Sequence, residues 1–160
     1  MVVSLEKGSA GHLPVSSENR ATRAATAGVI AWFSILAGAL SGMVMGLWSF
    51  DGPVPTPEWI GAYDSLSRRF LRLAHIAMFA LGILHFLVAR QIAAAPVYPD
   101  VDRLALGSMA LGNIAMPAVL IAAALWQPFK YLTPVPTLAI TVAIVVAAYS
   151  SVLQYRRGSE

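Results

Sequence analysis

Cysteine is absent from this chain. That excludes disulfides, thiolate metal sites, iron–sulfur clusters and cysteine nucleophiles. Charge is scarce: 12% of the residues are charged, where soluble domains carry about 25%. Carboxylates are missing from every long apolar run, because all eight Asp and Glu residues fall in tails or loops. This argues against a mid-membrane proton-relay carboxylate of the kind many pumps and transporters use. It argues equally against a membrane metallohydrolase, which needs several ligands on facing helices. The chain has no nucleotide-binding loop, no zinc-type histidine pair and no Gly-x-Ser-x-Gly motif. Nothing in it specifies an enzyme, and no metal site is expected.

What is plentiful is apolar surface. Of 160 residues, 58% are apolar, more than a soluble core of this length needs. Four predominantly apolar stretches, at about 25–48, 71–90, 104–126 and 135–153, are each long enough to cross a hydrocarbon core of roughly 30 Å. The formal net charge of +3 is therefore read as charge flanking membrane spans, with no nucleic-acid partner. Residues 1–24 are polar, with Gly8, Gly11, Pro14, Ser16 and Ser17 among mixed charges. They are expected to form a flexible tail that is retained in the mature protein. Residues 25–157 form the transmembrane domain.

The first span carries Ser34, Gly38, Gly42 and Gly46 at steps of four. Apolar burial gains little between helices in lipid, so such a ladder serves close helix packing. A loop rich in proline follows, with Pro53, Pro55 and Pro57. Thr56-Pro57-Glu58-Trp59 predicts a short interfacial helix capped by Thr56. Trp59 and Tyr63 would hold it at the headgroup level. Asp64 or Ser65 is expected to cap the second long helix.

That second helix is the most unusual segment. On a helix, Arg68, Arg72, His75, Phe79, Gly82 and Phe86 share one face. Two fixed positive charges thus lie near a membrane surface, with an imidazole about one turn deeper. His85 lies ten residues beyond His75, about 15 Å along the axis and roughly 80° around it, so the two cannot hold one metal ion. On the third span, Met109, Asn113 and Met116 form a stripe. Pro117 has no N–H, so the carbonyl of Asn113 loses its helical donor.

The layout of small-residue span, Pro-rich loop and Arg-and-His helix resembles one half of haem A synthase, in Arg72-x-x-His75 and in Trp48, Gly52 and Pro55 alone. It lacks that family's second histidine on the fourth helix, and it names no family for this chain.

Short links between spans two and three and between three and four favour antiparallel neighbours. The fold expected is therefore an all-α, integral-membrane, up-down four-helix bundle. Four spans put both termini on one side. Lys7, Arg20, Arg23, Arg90, Arg103, Arg156 and Arg157 lie on that side, against Arg68, Arg69, Arg72 and Lys130 on the other. Seven against four favours cytoplasmic termini in a bacterial-type inner membrane.

Three functions remain open on these residues. The first is a non-catalytic subunit or accessory factor of a larger membrane complex, of the respiratory or electron-transfer class. It would pack through its ladders against other subunits or a second copy, with lipid around it and no cofactor. The second is a protein binding haem b or a quinol. It would use His75 with Arg68 and Arg72, and draw on His85, Met109, Asn113 or Met116. The third is a small-solute transporter acting as an oligomer.

Overall fold

The structure is a computed structural model describing residues 15–49, 52–95 and 97–159; side chains are described from Thr22 onward. Four long helices follow one another: α1 (Val15–Gly46), α2 (Leu66–Ala94), α3 (Pro99–Leu125) and α4 (Pro134–Gly158). All four are long and apolar enough to cross a membrane. The fold is thus an all-helical bundle of the membrane type.

The helices outrun the apolar stretches. α1 begins at Val15, inside the segment read from sequence as a flexible tail, and α2 begins at Leu66, ahead of Leu71. The polar residues at these ends include good helix formers such as Glu18, Arg20 and Arg68. Hydropathy marks where a helix meets lipid, and it does not mark where the hydrogen-bond ladder starts.

Local signals place the remaining ends. Ser65 caps α2, its hydroxyl accepting from the Arg68 amide at 3.3 Å. Pro99 opens α3 and Pro134 opens α4, at first-turn positions where a missing N–H costs nothing. The first loop holds a single 3-10 turn, Glu58–Ile60. Thr56 does not cap it; its hydroxyl turns back to the Trp48 carbonyl at 3.5 Å. A second 3-10 segment, Gln127–Leu132, joins α3 to α4. α3 runs unbroken through Pro117.

Each helix packs mainly on its chain neighbour, α1 on α2, α2 on α3 and α3 on α4. The diagonal contacts are slight, and α1 and α4 share no extended seam. Small residues set the close seams. A Cβ on Gly38 would meet the Phe79 backbone nitrogen at 3.0 Å, and one on Gly82 would meet Ile35 Cγ1 at 2.7 Å and the Ala31 carbonyl at 3.0 Å. Gly112 lies equally close to Ile140 and the Pro136 carbonyl on α4. On α1 and α3, Gly38, Gly42 and Gly112 are thus filled from within the chain, and Gly28 is open. Gly46 and Gly107 have nothing within 4 Å.

The buried core is at the end of the bundle remote from the first loop. Val88, Ile92, Ala105, Met109 and Ala143 form it. The same end is tied by polar contacts: Ser150 donates to the Ala95 carbonyl, and Asp102 accepts from the Val97 amide at 3.2 Å.

Candidate functional site

The polar side chains of the helices gather in three places along α2. The first is at His75. Its Nδ1 lies 2.8 Å from the Gly38 carbonyl and 3.2 Å from Ser41 Oγ. A carbonyl only accepts, so Nδ1 carries the proton. Ser41 in turn donates to Gly38 O at 2.9 Å. In the neutral ring this tautomer leaves Nε2 as a lone pair. Nε2 forms no hydrogen bond among the described residues. Gly42 makes the room for the ring: a Cβ there would meet His75 Cε1 at 2.6 Å and Nε2 at 3.2 Å. Beside the imidazole lies a cavity of about 310 Å³, lined by Ser41, Val44, Met45, Trp48, Trp59, Leu71, Ala74, His75, Met78 and Ile121. This is a mostly apolar chamber, with one hydroxyl, one imidazole and two indoles in its wall.

The second place is deeper. Ser34 Oγ lies 2.8 Å from the Met78 carbonyl and 2.9 Å from Asn113 Oδ1. Asn113 Nδ2 lies 3.2 Å from His85 Nδ1. His85 is fully buried and Asn113 is 1% exposed. One serine proton cannot serve two oxygens. Turning the amide by 180° removes the conflict. Asn113 then donates to Ser34, Ser34 donates to Met78 O, and His85 Nδ1–H donates to the amide oxygen. In either orientation His85 Nε2 is buried without a partner among the described residues. This network ties α1, α2 and α3 at one level. On one side it borders a groove of about 440 Å³ whose wall includes Ser34, Met78, Asn113 and Pro117.

The third place is near the first loop. Arg68 is 8% exposed. Its Nη2 donates to the Trp48 carbonyl at 3.1 Å, and its guanidinium carbon lies 5.1 Å from the centre of the Tyr63 ring. Arg72 lies 4.4 Å from the centre of the same ring and donates to the Tyr63 carbonyl at 2.9 Å. Arg68 borders a cavity of about 500 Å³ together with Trp48, Gly52, Val54, Pro55, Thr56 and Tyr63.

The residues expected to act as one site are thus divided. Arg68 and His75 line separate cavities that share Trp48 as a wall, and Arg72 lines neither. His85 and Asn113 do meet, and Asn113 also reaches Ser34 on α1. Met109 is fully buried in the core with Val88. Val88 is thirteen residues beyond His75 on α2, about 20 Å along the axis, so Met109 is out of reach of that imidazole. Met116 is half-buried on α3 and lines none of the three cavities. Ser41 was not singled out by sequence, although it follows Ser34 by seven residues and so shares its face. No group of three His, Cys, Asp or Glu side chains suited to a metal ion occurs among the described residues.

Compared with known proteins, the chain matches no family model, no curated protein and no solved structure.

Proposed function

We propose that this chain is a small membrane subunit that holds the ring of a quinol at His75, within or beside an electron-transfer assembly. The observation that carries the reading is the fixed tautomer of His75: Nδ1 is committed to Gly38 O, which leaves the acceptor lone pair on Nε2 of a side chain that lines an apolar cavity with Trp48 and Trp59. A quinol O–H is a donor of matching chemistry, and a ring of that size suits the roughly 300–1,000 Å³ typical of ligand pockets. The accessory role alone has less support, since Gly38, Gly42 and Gly112 are occupied by the chain's own helices. An assembly partner would meet other surfaces, such as those around Gly46 and Gly107. The transporter reading gains nothing from three separate cavities.

Haem b is the second reading, since a histidine whose Nδ1–H is held by a carbonyl is also the usual form of a metal-ligating imidazole. His75 would supply one axial ligand. The fit to a macrocycle is poorer, because Met109 is about 20 Å away along the bundle and the cavity is about 310 Å³.

The test is a titration of the detergent-purified protein with a short-chain quinol and its quinone, followed by quenching of tryptophan fluorescence. The expected result is saturable quenching that His75→Phe abolishes. The quinol should bind about tenfold more tightly than the quinone, the worth of one added hydrogen bond of about 1.4 kcal/mol. Equal affinity for the two, or no saturation, overturns the quinol assignment. An oxidised-minus-reduced spectrum with a b-type band, lost in His75→Ala, would replace it by haem.

A further inference from the structure

We propose that the cavity bordered by Arg68 is a binding site for a phosphate group, carried on a lipid headgroup or free in solution. The argument starts from an imbalance of charge. A guanidinium has five N–H donors in a planar fork. Arg68 is more than nine-tenths buried, yet the structure gives it one hydrogen-bond acceptor, the Trp48 carbonyl, and one ring face, Tyr63. No acidic side chain lies within ion-pair distance of it among the described residues. Removing an ion from water costs several kcal/mol unless a counter-charge and further hydrogen bonds replace the solvent. A neutral carbonyl and a tyrosine face recover only part of that.

Arg72 sharpens the imbalance. It stacks on the same ring, which puts the two positive charges within about 10 Å of each other, and no ion pair is formed by Arg72 either among the described residues. Two like charges at that separation repel. An anion beside Arg68 offsets both costs. The space for it is there: about 500 Å³, with Thr56 and Arg68 on its wall. The guanidinium fork matches the paired oxygens of a phosphate. The site lies at the first turns of α2, beside Arg69 as well, where a membrane-crossing helix meets the headgroup layer and its phosphates.

The experiment uses the full-length protein, delipidated in a glycosidic detergent free of phosphate. Thermal unfolding is followed on adding inorganic phosphate, with sodium chloride at matched ionic strength as its control. In a parallel series phosphatidylglycerol is added, with a neutral glycolipid as its control. The expected result is a saturable rise in Tm of about 5 °C at a hundredfold excess over the dissociation constant. Arg68→Gln should lose it, and Arg68→Lys should keep a weaker response. A response to the lipid alone assigns the phosphate to a headgroup; a response to both assigns a site open to free phosphate. If phosphate and phosphatidylglycerol do no better than their controls, or if Arg68→Gln responds like the wild type, the proposal is overturned. Should Arg68→Gln fail to fold, the wild-type comparison with the controls still decides. The readout does not involve quinol, so it stands or falls separately from the reading of His75.

Discussion

Replacing Asn113 by alanine tests whether the buried polar network holds three helices together. Asn113 contacts Ser34 on α1 at 2.9 Å and His85 on α2 at 3.2 Å. Hydrogen bonds between helices in membranes average about 0.6 kcal/mol and reach about 1.7, so two of them contribute about 1–3 kcal/mol. Ser34 keeps a partner in the variant, because the Met78 carbonyl is 2.8 Å away. His85 does not: its Nε2 already lacks one, and Asn113→Ala leaves Nδ1 without one too. An orphaned buried polar group costs about 1–3 kcal/mol, which sets the upper part of the same range. The loss should therefore be about 2 kcal/mol. The assay is reversible unfolding in mixed micelles by titration with dodecyl sulfate. A double-mutant cycle with His85→Leu isolates the pair. In the His85→Leu background no imidazole is left to orphan, so Asn113→Ala should cost about 1 kcal/mol less than in the wild type. Leu111→Ala, at a position facing away from the bundle, should stay within about 0.5 kcal/mol. Additive effects in the cycle, with coupling below about 0.3 kcal/mol, would refute the network as a load shared by these residues.

Three further outcomes are expected. Gly42→Ala puts a methyl group 2.6 Å from His75 Cε1, so the ring must move and quinol affinity should fall about tenfold or more; Gly46→Ala, with nothing within 4 Å, should leave the same quenching titration unchanged. Gly82→Ala meets the α1 backbone at Ala31 and Ile35, which cannot rotate away as a side chain can, and unfolding should become easier by about 1–3 kcal/mol. The chain has no cysteine, so single cysteines report orientation cleanly. Ser159→Cys should be shielded from an impermeant maleimide in intact cells and Glu58→Cys labelled, and the reverse pattern would invert the assignment of cytoplasmic termini.

The four long helices were legible because apolar runs of twenty residues have few alternatives; the cap of α2 was legible only as Asp64 or Ser65, and the structure gives it to Ser65. The start of α1 was not legible. A polar helical extension and a polar tail have the same composition, and propensity alone decides weakly between them. The glycine ladder on α1 announced close packing, and the structure supplies the partner: Gly38 faces Phe79 and Gly42 faces His75. Sequence could not say whether the partner was internal, since a small-residue stripe has no address. The division of the site was hidden for a related reason. Helical periodicity puts Arg68, Arg72 and His75 on one face, but arginine has a long side chain, and its head goes where acceptors are. Arg72 turns to the Tyr63 carbonyl and Arg68 to the Trp48 carbonyl, both supplied by loop segments that periodicity does not describe.

Trp48 links these findings. α1 ends at Gly46, so the Trp48 carbonyl stands just past the helix terminus, at the negative end of its dipole. A cation is favoured there by about 0.3–1 kcal/mol, more where the geometry is partly buried. Arg68 supplies it at 3.1 Å, and the Thr56 hydroxyl reaches the same oxygen at 3.5 Å. The backbone of Trp48 is thereby held from two sides while the residue walls both the Arg68 cavity and the His75 cavity. A residue outside the His75 cavity thus fixes part of that cavity's shape. Arg68→Gln should therefore weaken quinol binding even though Arg68 touches no part of the chamber, and Arg68→Lys, which keeps the charge at the helix terminus, should weaken it less. Equal quenching curves for wild type and Arg68→Gln would mean that the Trp48 ring is held by its own packing and owes nothing to the arginine.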